Sequence, residues 1–163
     1  MATGDTLLTF FPRSFEPPAS DPATPAVRNA HPVLEFDDST NESALWTAIM
    51  PRHYRGGGLT VRIHYAMKTA TSGTVDWDVC FERIGEAQQD IDSDGFAAAQ
   101  SADDNTVPAT CGHVGVAEIT FADGDEIDNI LAGELFRTKL TRDAASDDAA
   151  GDAQVLAVEV KET

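Results

Sequence analysis

Leu59-Thr60-Val61-Arg62-Ile63-His64-Tyr65-Ala66-Met67 and, eight residues on, Val75-Asp76-Trp77-Asp78-Val79-Cys80-Phe81-Glu82-Arg83-Ile84 decide the fold class. In the first run Leu59, Val61, Ile63, Tyr65 and Met67 share one face. In the second, Val75, Trp77, Val79 and Phe81 alternate with Asp76, Asp78, Cys80 and Glu82. Successive side chains of a strand point to opposite faces of its sheet, so this period marks half-buried strands with one wet side. Ser72-Gly73 in the connector is a turn signal, and the pair reads as an antiparallel hairpin. Gly56-Gly57-Gly58 supplies a free corner before it.

Outward from this pair, Val33–Phe36, Ser43–Met50, Val114–Phe121, Glu134–Arg142 and Gln154–Val160 read as further short strands, the last with Leu156, Val158 and Val160 inward. Ser43–Met50 is apolar on both faces, which suits a central strand or one under a subunit contact. Asp125–Leu131 reads as one or two helical turns, with Asp125 as cap, Ile127, Ile130 and Leu131 on one face, and Gly133 as stop. The passage between Gly85 and Gly112 is polar, apart from Phe96-Ala97-Ala98-Ala99, which suits a helical turn or a crossing strand. The fold class is therefore all-β, an antiparallel sandwich of jelly-roll type with one short helix.

Residues 1–32 read as a separate proline-rich extended arm, and 33–163 as the sandwich domain. Pro12, Pro17, Pro18, Pro22, Pro25 and Pro32 exclude helix and inner strand, and Leu7-Leu8-Thr9-Phe10-Phe11 precedes them as an apolar anchor. Such an arm orders along its own chain or a neighbouring subunit, and the neighbour is the expectation here. Leu7, Leu8, Phe10, Phe11, Trp46 and Met50 are the expected partner contacts.

The chain holds 11 basic and 28 acidic residues, a formal net charge of −17. That balance excludes electrostatic capture by nucleic acid or anionic membrane. No basic and apolar leader pattern opens the sequence, and no apolar run nears the roughly 20 residues of a membrane span. Synthesis in a cytoplasm is the expectation. Cys80 and Cys111 are too few for a disulfide framework and read as free thiols.

No nucleophile elbow, phosphate loop or dinucleotide fingerprint is present, so the chain does not read as an enzyme. Asp90-Ile91-Asp92-Ser93-Asp94-Gly95 matches the opening of a calcium loop, which makes Asp90, Asp92 and Asp94 the candidate Ca²⁺ ligands. The bidentate acid is missing, because Ser101 stands in the twelfth place, and a solvated acidic loop is the competing reading. Asp143, Asp147, Asp148 and Asp152 form a second acidic run of no known spacing. His31, His53, His64 and His113 stand apart from one another, and Cys111-Gly112-His113 is too small for a zinc site. Trp46, Trp77, Tyr54 and Tyr65 are the rings available for a sugar platform, although Trp77 points with the core set.

Several blocks carry a family resemblance: Arg28-Asn29-Ala30-His31-Pro32-Val33-Leu34-Glu35-Phe36-Asp37-Asp38, Pro51-Arg52-His53-Tyr54-Arg55-Gly56-Gly57-Gly58-Leu59, Thr69-Ala70-Thr71-Ser72-Gly73-Thr74-Val75-Asp76-Trp77, Ala132-Gly133-Glu134-Leu135-Phe136-Arg137 and Arg142-Asp143. Together they resemble small virion structural proteins of tailed bacteriophages and their prophage copies. The resemblance implies a β-sandwich on the viral particle, decorating and cementing the capsid by bridging major capsid protein subunits, with copies of itself in a cyclic assembly such as a trimer. It transfers no catalytic residue. The alternative is a carbohydrate- or receptor-binding sandwich of a phage appendage, whose mark is an exposed aromatic platform.

Overall fold

The computed structural model describes residues 4–163. Ten strands follow in order: β1 Thr6–Phe10, β2 Thr24–Arg28, β3 His31–Phe36, β4 Ser43–Ile49, β5 Leu59–Met67, β6 Thr74–Ile84, β7 Gln100–Thr106, β8 Val114–Phe121, β9 Leu135–Arg142 and β10 Ala153–Glu162. They form two antiparallel sheets. The larger runs β2-β3-β10-β5-β8, with β1 also on β10; the smaller runs β4-β9-β6-β7. β10 is the axis of the larger sheet. One edge pairs with β5 from Ala153 to Glu162, and the other is divided, β3 taking Ala153–Val155 and β1 taking Val158–Lys161. No helix among the described residues is long and apolar enough to cross a membrane.

β5 and β6 are strands, as their alternation predicts, but not a hairpin. β5 lies in the larger sheet and β6 in the smaller, so the connector 68–73 arches from one layer to the other. The two apolar faces meet across the core instead of lying side by side. Tyr65 of β5 and Trp77 of β6 have ring centroids 5.6 Å apart, and Phe36 of β3 meets Trp77 edge-on at 5.2 Å. Two faces this apolar bury more surface facing each other than as neighbours in one sheet. Further along, Phe81 packs edge-on against Phe121 of β8 at 4.9 Å. Gly58 sits at the corner before β5 because nothing larger fits: a Cβ there would lie 2.3 Å from the Phe121 carbonyl oxygen.

The expected arm is part of the sandwich. β1 and β2 are edge strands of the larger sheet, and the segment between them crosses to the free edge of β4. There Glu16 and Leu45 exchange backbone hydrogen bonds of 2.7 and 3.0 Å, and the Ala23 N–H donates to the Ser43 carbonyl at 2.9 Å. Prolines are tolerated on such a covering segment because an edge leaves amide groups unpaired anyway, and covering it blocks pairing with other chains. The two surfaces expected to meet partners meet each other. Phe10 stacks on Trp46 at 5.7 Å, and the Trp46 Nε1–H donates to the Phe11 carbonyl at 3.1 Å. Leu7, Phe10, Trp46 and Met50 are buried in the chain's own core and Leu8 packs against it, while Phe11 is 56% exposed. On the second face of β4 only Leu45, at the point of pairing, is buried; Ile49 is 59% exposed.

Three smaller expectations also change. Asp125–Ile127 is a single 3-10 turn, stopped by Asp128 and Asn129 in left-handed conformations at φ 54° and 56°; Ile127 and Ile130 are buried as expected, but Leu131 is exposed. The polar passage contains β7, whose only buried residue is Ala102, so no apolar period announces it. Phe96 lies beneath the cations of Arg137 and Lys139, each 5.0 Å from its centroid. In β10 a bulge between Val155 and Ala157 turns Leu156 out of the core, leaving Val155, Val158 and Val160 inward. A bulged residue is unpaired and re-aims the side chains after it.

Candidate functional site

The outer face of the larger sheet carries a trough whose lobes share Leu156. The lobe beside the β2–β3 hairpin, ≈ 330 Å³, is within the range of small-ligand sites. One wall is the β2–β3 hairpin. Arg28 pairs with His31 across a two-residue turn in which Asn29 and Ala30 both have positive φ, 45° and 64°. This is the type I′ geometry that matches the twist of a hairpin, and it sets Arg28 and His31 side by side on the rim. His31 Nδ1 lies 3.1 Å from the Arg28 carbonyl oxygen. The floor follows from register: Gln154 of β10 faces Ala66 of β5, which faces Val114 of β8. Gly112 lines the same cavity beside Arg28.

A second lobe is lined by Thr6, Thr9, His64, Ala157 and Glu159, and a third by Phe11, Pro12, Arg13 and Pro32. Phe11 is the exposed ring at the trough's end. Trp46, Trp77 and Tyr65 belong to the core and Tyr54 is 6% exposed, so the four rings considered for a sugar platform do not form one.

The polar floor is rigid. Arg28 Nη1 donates to the Met67 carbonyl and to Gln154 Oε1, both at 2.8 Å. Gln154 Nε2 donates to Glu35 Oε1 at 2.8 Å, and Lys68 Nζ bridges Glu35 and Asp152 at 3.2 and 3.1 Å. Donors and acceptors alternate from the trough to the loop 143–152, which fixes the Arg28 guanidinium before any ligand arrives. The hydrogen bond to Asp152, then that to Glu35, raise the Lys68 ammonium above its usual range.

That loop is built around Arg142. Its side chain is fully buried and forms a bidentate pair with Asp147, at 2.7 and 3.0 Å. It also donates to the Phe36, Ala149 and Gly151 carbonyls at 3.2, 2.8 and 2.9 Å. The second acidic run is thus a folded loop, with Arg142 holding Asp147 from within and Lys68 holding Asp152 at its end. Burial raises the nearby Asp76 carboxyl despite the Asp104 N–H it accepts at 2.7 Å.

Asp90, Asp92 and Asp94 lie on an exposed turn where Asp90 accepts from the Asp92 and Asp94 amides. Among the described residues no three acidic, His or Cys side chains gather in a way that could hold a metal ion, these three included. Cys80 and Cys111 are free; burial pushes the Cys80 thiol up to about 11. His64 points to the trough, as its outward alternation predicts. Sequence reasoning missed Gln154, Leu156, Val114 and Gly112. The unbroken apolar run Val155-Leu156-Ala157-Val158 is the one signal of the bulge that builds the floor.

No protein-family model matches this chain, and no curated protein sequence matches it. Solved structures do. A family 35 carbohydrate-binding module from an environmental isolate aligns with TM-score 0.57 at 12% identity, over 96% of this chain and 94% of that one. The fold is shared with carbohydrate-binding modules. The C-terminal CBM6 of LamC, a marine laminarinase of Zobellia galactanivorans, aligns with TM-score 0.53 at 10% identity, covering 95% and 98%. The CBM22-1 xylan-binding domain of Paenibacillus barcinonensis Xyn10C gives 0.50 at 10% identity, covering 99% and 97%. At such identities the likeness is one of backbone architecture, and the residues of the trough are this chain's own.

Proposed function

We propose that this protein is a non-catalytic carbohydrate-recognition domain that receives a glycan in the trough on the outer face of its larger sheet. The observation that carries the reading is a preformed concave site with a locked hydrogen-bonding floor and an aliphatic bed of Leu156, Val114 and Ala66. Sugars present C–H faces edged by hydroxyls, and such a bed with fixed polar groups meets both. Phe11, Pro12 and Pro32 extend the apolar surface at one end. The shared fold with domains described as carbohydrate-binding modules supports the same reading. The surfaces on which a capsid-bridging role rested are largely occupied within the chain itself.

The test is a polysaccharide and oligosaccharide panel read by affinity electrophoresis and calorimetry, with Val114→Gln as the blocking variant. Val114 is 52% exposed, so the longer neutral side chain enters the cavity without entering the core. Binding that weakens about tenfold in this variant with unchanged melting supports the proposal. A blank panel, or binding indifferent to the substitution, refutes it.

A further inference from the structure

Resting on that reading, we infer that the glycan carries an anionic group, a carboxylate or sulfate, and that Arg28 is the residue that selects it. The argument begins with an imbalance. In a chain of net charge −17, carboxylates are abundant and most buried or half-buried arginines have found one: Arg62 pairs with Glu118 and Glu159, Arg83 with Glu134, Arg137 with Glu82 and Arg142 with Asp147. Arg28 is half-buried in the trough and has none among the described residues. Its contacts are two neutral acceptors, the Met67 carbonyl and Gln154 Oε1, and both fall on Nη1. Nε and Nη2 have no acceptor among the described residues.

Of the trough's other charges, Arg13 is an exposed cation at the third lobe, and the carboxylates are already answered. Glu159 is held by Arg62 at 3.5 Å and by the Thr6 hydroxyl, and Glu35, at the far side of Gln154, is held by Lys68. The one charge left over in the lobe beside the β2–β3 hairpin is therefore positive. The position is also kept open. Gly112 has φ 88°, and a Cβ there would lie 3.1 Å from Arg28 Nη2, so a side chain would crowd the edge of the guanidinium that has no partner.

A guanidinium fixed through one nitrogen and free at the Nε–Nη2 edge presents the parallel donors that a carboxylate or sulfate accepts. The overall negative charge does not forbid this. Repulsion from the distant surface is screened beyond about 8 Å at physiological salt, whereas a contact hydrogen bond is not. The net charge slows the approach of an anion, and Arg28 acts once it has docked.

The experiment measures matched pairs by calorimetry: tetragalacturonate against its carboxyl-reduced neutral form, and a sulfated galactan tetrasaccharide against its desulfated form, alongside the general glycan panel. The expected result is a preference of about tenfold or more for the anionic member of at least one pair, and which pair shows it separates carboxylate from sulfate. Arg28→Gln removes the preference and Arg28→Lys keeps part of it. Gly112→Asp is the second variant, because it retains the Arg28 side chain while setting an internal carboxylate beside Nη2; it abolishes the preference even if Arg28→Gln fails to fold. In the parent protein, the Arg28 Nε–H resonance shifts on adding the anionic member alone. Equal binding of both members, or a preference untouched by Gly112→Asp, overturns the assignment of Arg28 and leaves the carbohydrate reading standing. A panel blank for neutral and anionic glycans alike overturns both.

Discussion

Replacing Asp147 with asparagine tests how this fold holds the acidic loop 143–152. The substitution conserves volume, so it opens no cavity. It removes the charge from a carboxylate whose side chain is 1% exposed and leaves the Arg142 guanidinium fully buried without its counter-ion. Removing one partner of a buried pair costs about 3–5 kcal/mol. The three carbonyls that also accept from Arg142 hold the side chain in place, so it cannot swing into solvent to recover hydration. In a domain of this length each kcal/mol moves the melting temperature by roughly 2–4 °C, which gives an expected fall of about 6–20 °C. Because the pair lies out of reach of mobile ions, the loss measured by urea unfolding is the same at low and at molar salt. The exposed Arg62–Glu118 pair, with side chains 37% and 53% exposed, contributes less than about 1 kcal/mol by the same double-salt comparison. A fall under about 3 °C for Asp147→Asn, or a loss that vanishes in salt, refutes the account of Arg142 as the loop's pillar.

Two further predictions concern titrating groups. Burial raises the Cys80 thiol to about 11 while Cys111 is exposed, so an aromatic disulfide reagent at pH 8 titrates one thiol per native chain and two after denaturation; two fast thiols in the native protein contradict the burial of Cys80. The Glu134 carboxyl is held below its usual range, first by its hydrogen bonds from Arg83, at 2.7 and 2.6 Å. A depressed carboxylate stabilises the fold above its unfolded value and loses that contribution as pH falls through the folded one. Glu134→Gln is therefore less stable than the parent by about 1–2 kcal/mol at pH 7, and the gap closes as pH falls from the usual glutamate range through the lower folded value. A gap that persists into acid shows that the loss is one of packing.

The strands that build the sandwich from half-buried faces were legible in the sequence, because alternation is written in the residues themselves. β5, β6, β8 and β9 fall where Leu59–Met67, Val75–Ile84, Val114–Phe121 and Glu134–Arg142 place them. What alternation cannot state is the partner of a face. Tyr65 and Trp77 read identically whether their strands lie side by side or face each other across the core, and only the arch of 68–73 separates the cases. Apolar character at Leu7, Phe10 and Trp46 does not say whose surface covers them; the expectation of a partner's surface gives way to the chain's own core, where Phe10 stacks on Trp46. β7 was hidden because Asp103, Asp104 and Asn105 carry no apolar period. The trough was the least legible part. Its floor depends on a bulge that reverses the facing of Leu156, and its wall on the hairpin at Asn29-Ala30, whose alanine has no local reason to adopt a left-handed conformation.

The placement of β10 bears on how the chain reaches this state. The strand that joins β1, β3 and β5 into one sheet is the last of the ten to be synthesised. Until residues 153–162 emerge, β1 and β3 have no common neighbour and β5 carries one open edge. Pairing Thr6 with Lys161 closes nearly the whole chain into a loop, a contact of the high sequence separation that slows folding. The nascent chain thus waits with its central slot vacant, and a product shortened by this one strand keeps open edges ready to pair with one another. The middle of the larger sheet is thus the place that the nine earlier strands leave for the latest of the ten.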